Sequence, residues 1–172
     1  MDILKVLESG QSKKQTLAIV RYIGDKASEF KVLVNILFSS NSQLAQRASW
    51  PLSYSAIQYP ALIQPYFTKL ILLLKQSNVH TGVKRHVLNI FREIEIPEKN
   101  QSQLLTVCFD MMLKLDQPPA VTANAITVAS NICKNHEELK SELNLLLNHL
   151  SQFPQPPSIS SRLKLAQKKL RN

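Results

Sequence analysis

Apolar side chains recur at the three- and four-residue spacing of an amphipathic helix along nearly all of this 172-residue chain. Short polar or proline-bearing joints separate the periodic stretches, and no segment alternates strictly enough for a half-buried strand. The pattern therefore predicts an all-α protein. Its helices are expected near residues 2–9, 12–23, 26–38, 43–57, 61–75, 79–94, 99–115, 119–133, 136–150 and 159–171.

Several residues mark the expected helix boundaries. Gly10 and Gly24 follow predicted helix ends, where the absence of a Cβ makes a left-handed backbone accessible. Ser12, Asp25 and Ser42 stand where an N-cap side chain is expected, since their oxygens can accept from the first free amides of a helix. Proline-bearing joints separate several of the later helices.

The helical pattern repeats along the chain. An apolar anchor recurs at intervals of 39, 38 and 38 residues, at Leu44, Val83, Val121 and Ile159. A position in the following helix recurs at intervals of 39 and 38 residues, at Leu70, Phe109 and Leu147. Because both helices keep the same interval, the repeating unit is a helical hairpin of 38 to 39 residues, a length typical of stacked repeats.

The repeat interval predicts how the chain is organised. Its length suits one domain over residues 1–172. Residues 1–11 are expected to cap one end, and hairpins are expected at 12–40, 42–76, 79–116 and 118–150. A proline-rich joint at 151–158 then leads to a basic C-terminal helix at 159–172, which is expected to cap the other end and to be separable from the rest.

This spacing resembles the HEAT repeat class, and Pro51 occupies a mid-helix place like the proline that many first HEAT helices carry. The other hairpins lack that proline, and the chain lacks the Asp and Arg ladder of many HEAT repeats, so the resemblance is to the broad HEAT and armadillo class of α-solenoids. It implies a right-handed superhelix of about four hairpins. The helical phase predicts a core that includes Leu70, Val87, Phe109, Ile126 and Leu147, with Arg47 and Lys84 exposed.

Composition argues against several other classes of protein. Only three glycines occur, which disfavours tight hairpins and phosphate-cradling loops. The chain begins without a signal-peptide pattern and contains no apolar run long enough to span a membrane, so a soluble, cytoplasmic protein is expected. Cys108 and Cys133 lie within apolar helical patterns and are expected to be small buried hydrophobes.

No motif indicates catalysis or a bound metal. His80 and His86 are six residues apart and so lie on different sides of a helix, whereas zinc sites favour a separation of four. The chain has no Gly-x-Ser-x-Gly elbow, no phosphate loop and no dinucleotide fingerprint. We therefore expect a protein that is not an enzyme and that carries neither a metal nor another cofactor.

The formal charge is +9, from 21 basic and 12 acidic residues. Over half of the excess lies in the last helix, which has five basic residues and no acid, so residues 1–157 carry 16 bases against 12 acids. Arg162, Lys168 and Lys169 of this helix are candidate binding residues for an acidic protein or a nucleic acid. The same bases suit a solvated capping face.

A further candidate surface lies on helix 43–57. Arg47, Trp50 and Tyr54 share a stripe away from the predicted core, and the combination of aromatic residues with arginine is enriched at interfaces. Alternatively, a bend at Pro51 or the first helices folding back would bury Trp50. The equivalent positions of later repeats are polar: His86, Asn89 and Glu93, then Asn124, Thr127 and Asn131.

The second helices offer charged positions of mixed sign, including Lys69, Asp110 and Lys114, which suit a protein or peptide partner better than a phosphate backbone. The expected function is therefore a non-catalytic protein-interaction scaffold. The alternative is nucleic-acid binding through a basic face, by analogy with the HEAT-like DNA glycosylases. A continuous positive concave surface would favour that alternative.

Overall fold

The computed structural model describes residues 1–114, 116–134 and 136–171, and all regular structure within these ranges is helical. The all-α prediction is confirmed. The described α-helices are α1 (Ile3–Glu8), α2 (Lys13–Ile23), α3 (Ala27–Leu37), α4 (Ser42–Gln58), α5 (Phe67–Lys75), α6 (Thr81–Glu93), α7 (Glu98–Leu113), α8 (Pro119–Cys133), α9 (Glu137–Ser151) and α10 (Pro157–Arg171).

Predicted and observed helix ends agree within two residues, except at the start of α5. The prediction of one helix over 61–75 is wrong, because two short 3-10 turns, Pro60–Leu62 and Gln64–Tyr66, precede α5. Pro65 explains the break, since it has no amide hydrogen and disfavours helical backbone at the residue before it. Pro51, by contrast, lies inside α4, where the carbonyl of Arg47 loses its usual helical donor.

The caps follow local chemistry. Ser12 caps α2, its hydroxyl accepting from the Gln15 amide at 3.1 Å, and Gly24 ends that helix at a φ of 51°. The predictions of Asp25 and Ser42 as N-caps are each wrong by one residue, since the N-cap of α3 is one residue later and that of α4 is one residue earlier. Lys26 precedes α3 without a capping side chain, and Asn41 caps α4 because its amide oxygen already accepts from Leu44 N at 3.0 Å.

The first of two compact units spans Met1–Ile94 and contains α1 to α6. Helix α4 is its centre and packs against α1, α2, α3 and α6. Small buried residues such as Ala45, Ala48, Ser49 and Ser53 line α4, so neighbouring helices can approach it on several sides. Elsewhere in this unit Phe67 and Phe91 are fully buried and meet edge to face, with ring centroids 5.5 Å apart.

The second unit spans residues 95–172 and contains α7 to α10. Helix α8 is its centre, since it packs against α7, α9 and α10 and most of its residues are buried. Helix α10 lies against α8 and α9 and buries the predicted apolar stripe of Ile159, Leu163, Ala166 and Leu170. It begins at Pro157, two residues earlier than predicted, because proline is tolerated in the first turn of a helix.

Four of the five residues predicted as core are fully buried: Leu70, Val87, Ile126 and Leu147. Phe109 is only half-buried, and that prediction is wrong. On α7 Phe109 lies one turn beyond the buried Leu105, about 40° further around the helix, and so falls at the rim of the buried arc. Leu115, which the periodicity also assigns to this helix, lies outside the described residues.

The prediction that Lys84 is exposed is also wrong, because only 6% of it is accessible. On a helical projection Lys84 lies between Val87 and Leu88, both of which are fully buried. Helix α6 packs against both α4 and α5, so its buried arc is wider than a single amphipathic stripe. The aliphatic stem of a lysine fits such an arc well.

Candidate interaction surfaces

Two surfaces bring predicted site residues together, and the first is a row of rings on α4 and α6. The ring of Trp50 stacks on that of His86, with centroids 6.1 Å apart and planes 14° apart. Tyr54 meets Trp50 edge to face at 6.2 Å. We call these three residues the ring cluster. Trp50 is half-buried between its neighbours, whereas Tyr54 is 36% exposed and forms the accessible end.

His86 is neutral at physiological pH. Burial, with a smaller contribution from the charge of nearby Arg85, lowers the pKa of its imidazole to about 4. Arg85 Nη2 lies 3.4 Å from His86 Nε2. The stacking on Trp50 is therefore between two uncharged rings. Nearby, Asn89 Nδ2 donates to Ser53 Oγ at 3.2 Å and adds a second link between α6 and α4.

Arg47, the third residue of the predicted stripe, lies apart from the rings. Its Nη1 donates to the backbone carbonyls of Leu7 at 2.8 Å and Glu8 at 3.0 Å. These carbonyls lie in the last turn of α1, at the negative end of the helix dipole, and that of Leu7 also accepts from Gly10 N at 3.4 Å. Arg47 is half-buried, so the prediction of an exposed side chain is wrong; it joins α1 to α4.

The second surface is an open groove between α8 and α10. It consists of two adjoining cavities of about 390 and 410 Å3, both of which are lined by Arg162 and Leu165. We call it the α8–α10 groove. The other residues that line it are Ala120, Ala123, Asn124, Thr127, Ser130 and Asn131 of α8 and Ser158, Ser161, Ala166, Lys168 and Lys169 of α10.

The groove follows the repeat interval found in the sequence. Lys169 Nζ donates to Asn131 Oδ1, a pair 38 residues apart, and Arg162 and Leu165 follow Asn124 and Thr127 by the same 38 residues. Matching ends of α8 and α10 line the same cavities, so the two helices run in the same direction. They are thus equivalent first helices of successive repeats, and the groove is the space between their equivalent stripes.

Three of the predicted binding residues, Arg162, Lys168 and Lys169, lie together on the groove. Arg162 is half-buried, and the two lysines are exposed. Lys69 and Lys114 are also exposed, the first on α5 and the second at the end of α7, in different units. Two of the three residues predicted as a stripe on α4, Trp50 and Tyr54, are in contact with each other.

Sequence reasoning missed the apolar part of the groove. Leu165 is 54% exposed between the basic residues of α10, and Ala166 lies beside it. The signal was present in the repeat interval, because Leu165 occupies the place of Trp50 and Thr127 in earlier repeats. His86 is the polar equivalent of Arg47 in the repeat pattern, and its stacking on Trp50 depends on the packing of α4 against α6, which the repeat pattern does not specify.

The groove is electropositive. No acidic residue is among the described residues that line either cavity. The pKa of Lys169 is lowered, first by desolvation against α8 and then by the charge of nearby Lys134. Among the described residues no carboxylate pairs with Arg162 or Lys168. Positive charge is therefore concentrated here without an internal counter-charge.

The two thiols lie in the interior of the second unit. Cys108 and Cys133 are fully buried, and burial raises the pKa of both, that of Cys133 to about 12. They are therefore protonated and unreactive in the folded protein. Within residues 1–114, 116–134 and 136–171, no cluster of three or more His, Cys, Asp or Glu side chains is arranged to hold a metal ion.

The helical hairpins, the central α4 and α8 and the equivalence of α8 with α10 define an all-α repeat protein. The family model that matches is the HEAT repeat domain, over residues 3–170, and the chain belongs to this family. HEAT repeats generally mediate protein interactions as scaffolds and are typically non-catalytic. No curated protein matches the chain, and no solved structure matches it. None of the described helices is both long and apolar enough to cross a membrane.

Proposed function

We propose that this protein is a non-catalytic interaction scaffold that holds a partner protein on the outer stripes of its first helices. The observation that carries the proposal is the α8–α10 groove, where an exposed leucine lies among basic side chains. Interfaces combine an apolar contact with a polar, charged rim in this way. The ring cluster offers a second contact of the same kind, because the accessible Tyr54 is backed by a fixed Trp50.

The composition of these surfaces favours a protein partner over a nucleic acid. Nucleic-acid binding that is independent of sequence relies on a positive track combined with aromatic side chains on which bases stack. The described residues that line the α8–α10 groove are basic, small, polar or aliphatic, and none of them is aromatic. A leucine and three alanines in the lining suit the side chains of a peptide.

Site-specific photo-cross-linking tests the proposal. A photoreactive amino acid is placed at position 165 of the tagged full chain, and a matched control carries it at position 145, where Leu145 is 72% exposed on α9. Both leucines belong to the second unit and are accessible, so reactivity with solvent is comparable. We expect discrete cross-linked protein bands in the native extract from position 165 that are weak or absent from position 145.

Nuclease treatment of the extract before irradiation distinguishes the two candidate functions. Protein bands that persist after treatment support the scaffold. Bands that disappear with nuclease, or cross-links to nucleic acid alone, would support the alternative partner class. The absence of any cross-link at position 165 and also at position 54 would refute the proposed function.

A further inference from the structure

We propose that the α8–α10 groove binds an acidic peptide segment in extended conformation, with two carboxylates about four residues apart and an apolar side chain midway between them, all on one face of the peptide. This inference rests on the proposed function and identifies the chemistry of the partner. The structural features that carry it are the order of side chains along α10, the small residues of the groove and the uncompensated charge.

The order of side chains along α10 places an apolar contact between two cations. Arg162, Leu165 and Lys169 are spaced three and four residues apart and so lie along one side of the helix. Seven residues of helix separate the two cations by about 10 Å at 1.5 Å per residue. Side chains alternate between the two faces of an extended peptide, so residues four apart share a face and are separated by about 13 Å at about 3.3 Å each. The long side chains of Arg162 and Lys169 accommodate the difference of about 3 Å. A peptide parallel to α10 would thus bring two carboxylates to these cations and an apolar side chain to Leu165.

The rest of the groove is shaped to admit a backbone. Ala120, Ala123 and Ala166 keep the space between the helices open, since their side chains are short. The hydroxyls of Thr127 and Ser130 donate to carbonyls of their own helix at 3.0 and 2.7 Å. The hydroxyl hydrogens of these two α8 residues are thus already used in hydrogen bonds within α8. The strongest donors available to an anion in the groove are the cations of α10.

Charge complementarity selects an acidic occupant. The last helix contributes five basic residues and no acid, and the described lining residues include no carboxylate. Proximity of Lys134 to Lys169 adds repulsion that a bound carboxylate would relieve. A carboxylate can bind the guanidinium of Arg162 through two parallel hydrogen bonds, which adds geometric selectivity to the attraction.

The experiment begins with the purified full chain and a displayed library of random nonapeptides. We expect selected sequences to be enriched in Glu or Asp at positions four apart, with Leu, Ile or Met midway between them. The enriched peptide is then labelled, and its Kd is measured by fluorescence anisotropy. The same titration is run with a peptide in which Gln replaces each acid, with one in which Ser replaces the apolar residue, and with a single-stranded oligonucleotide of ten nucleotides.

The charge contacts are tested with the double variant Arg162→Gln, Lys169→Gln. Gln at position 169 keeps a polar amide beside Asn131 but removes the charge. The matched control is Lys13→Gln, Lys14→Gln, which removes two exposed bases from α2 and gives the same net charge. We expect the Kd of the acidic peptide to rise about tenfold in the first variant, as two accessible charge contacts imply, and to stay within about twofold in the control. Leu165→Ser, at a largely exposed position, is expected to weaken the same peptide.

Circular dichroism and thermal unfolding establish that each variant is folded. The proposal is overturned if the library yields no acidic enrichment, if the Gln peptide binds as tightly as the acidic one, if the oligonucleotide binds more tightly than the peptide, or if both double variants weaken binding equally. Cross-linking at position 165 separates this failure from that of the proposed function. Nuclease-resistant bands without acidic selectivity would overturn only the inference about the peptide, whereas the absence of bands from both position 165 and position 54 would refute the scaffold as well.

Discussion

Acidification should destabilise the first unit through His86. Its imidazole is half-buried against Trp50. This burial, together with the charge of the neighbouring Arg85, lowers its pKa from an ordinary 6.5 to about 4. In the unfolded chain the ring takes up a proton near pH 6.5, whereas in the folded protein it resists protonation until about pH 4. The unfolded state therefore binds more protons in this window. Stability is fully retained above pH 6.5 and falls as the pH approaches 4.

The size of the effect follows from the shift. Each pKa unit corresponds to about 1.4 kcal/mol, so a difference of 2.5 units gives about 3 kcal/mol between pH 7 and pH 4. Partial exposure of the ring to solvent reduces this value, and we expect a loss of about 2 to 3 kcal/mol from His86 alone. Such a loss is a large fraction of the stability of an ordinary domain.

The assay compares the native chain with His86→Gln, which keeps a planar polar side chain but does not titrate in this range. Urea unfolding is followed by the fluorescence of Trp50, the only tryptophan of the chain, at pH 7, 5.5 and 4. Carboxylates titrate in both proteins, so their contribution cancels in the difference. Between pH 7 and pH 4 the native chain should lose about 2 to 3 kcal/mol more than the variant.

An equal loss in both proteins would refute the reasoning, because it would mean that His86 has the same proton affinity in the folded and unfolded states. A larger loss in the variant would also contradict it. Direct titration of the His86 ring protons by NMR gives an independent check, since the midpoint should lie near pH 4.

Three further predictions concern the packing. Replacing Arg47 by Met should lower the free energy of unfolding by about 1 to 3 kcal/mol and speed amide exchange in α1, because two carbonyls lose a charged donor; the exposed Arg21→Met should change neither. Leu147→Ala should cost about 2 to 5 kcal/mol in urea unfolding, whereas Leu145→Ala, with the same chemistry on a side chain 72% exposed, should stay within about 0.5 kcal/mol; equal effects would show that the helical phase of α9 is wrong. Truncation after Phe153 removes α10 and should lower the thermal midpoint modestly while circular dichroism retains the remaining helicity, and a global loss of helicity would show that α10 is essential to the fold.

The positions of the helices and most of the core were predictable because each depends on local spacing. Leu70, Val87, Ile126 and Leu147 lie at the centre of their apolar stripes, and any packing that buries the stripe buries them. Lys84 was not predictable by the same rule. A helical projection indicates one buried face, but α6 has neighbours on two sides, and the second contact covers a residue that composition alone assigns to solvent.

In the candidate site, too, some features follow from the local sequence and others only from tertiary packing. The basic character of Arg162, Lys168 and Lys169 is evident from the sequence, but their common groove depends on the packing of α10 against α8. Arg47 has the residue type and stripe position of a binding residue, yet its Nη1 already donates to two carbonyls at the end of α1. That contact joins residues about forty positions apart, and only the tertiary structure brings the end of α1 to α4.

The distribution of Trp50, Cys108 and Cys133 supplies an intrinsic reporter for each half of the chain. The only indole lies in the first unit, and both thiols lie buried in the second. In one denaturation series, emission follows the opening of residues 1–94 while reaction with a thiol reagent follows the opening of residues 95–172. The cooperativity between the two halves, which decides whether they behave thermodynamically as one domain or two, is thereby measurable on the native sequence without any engineered label.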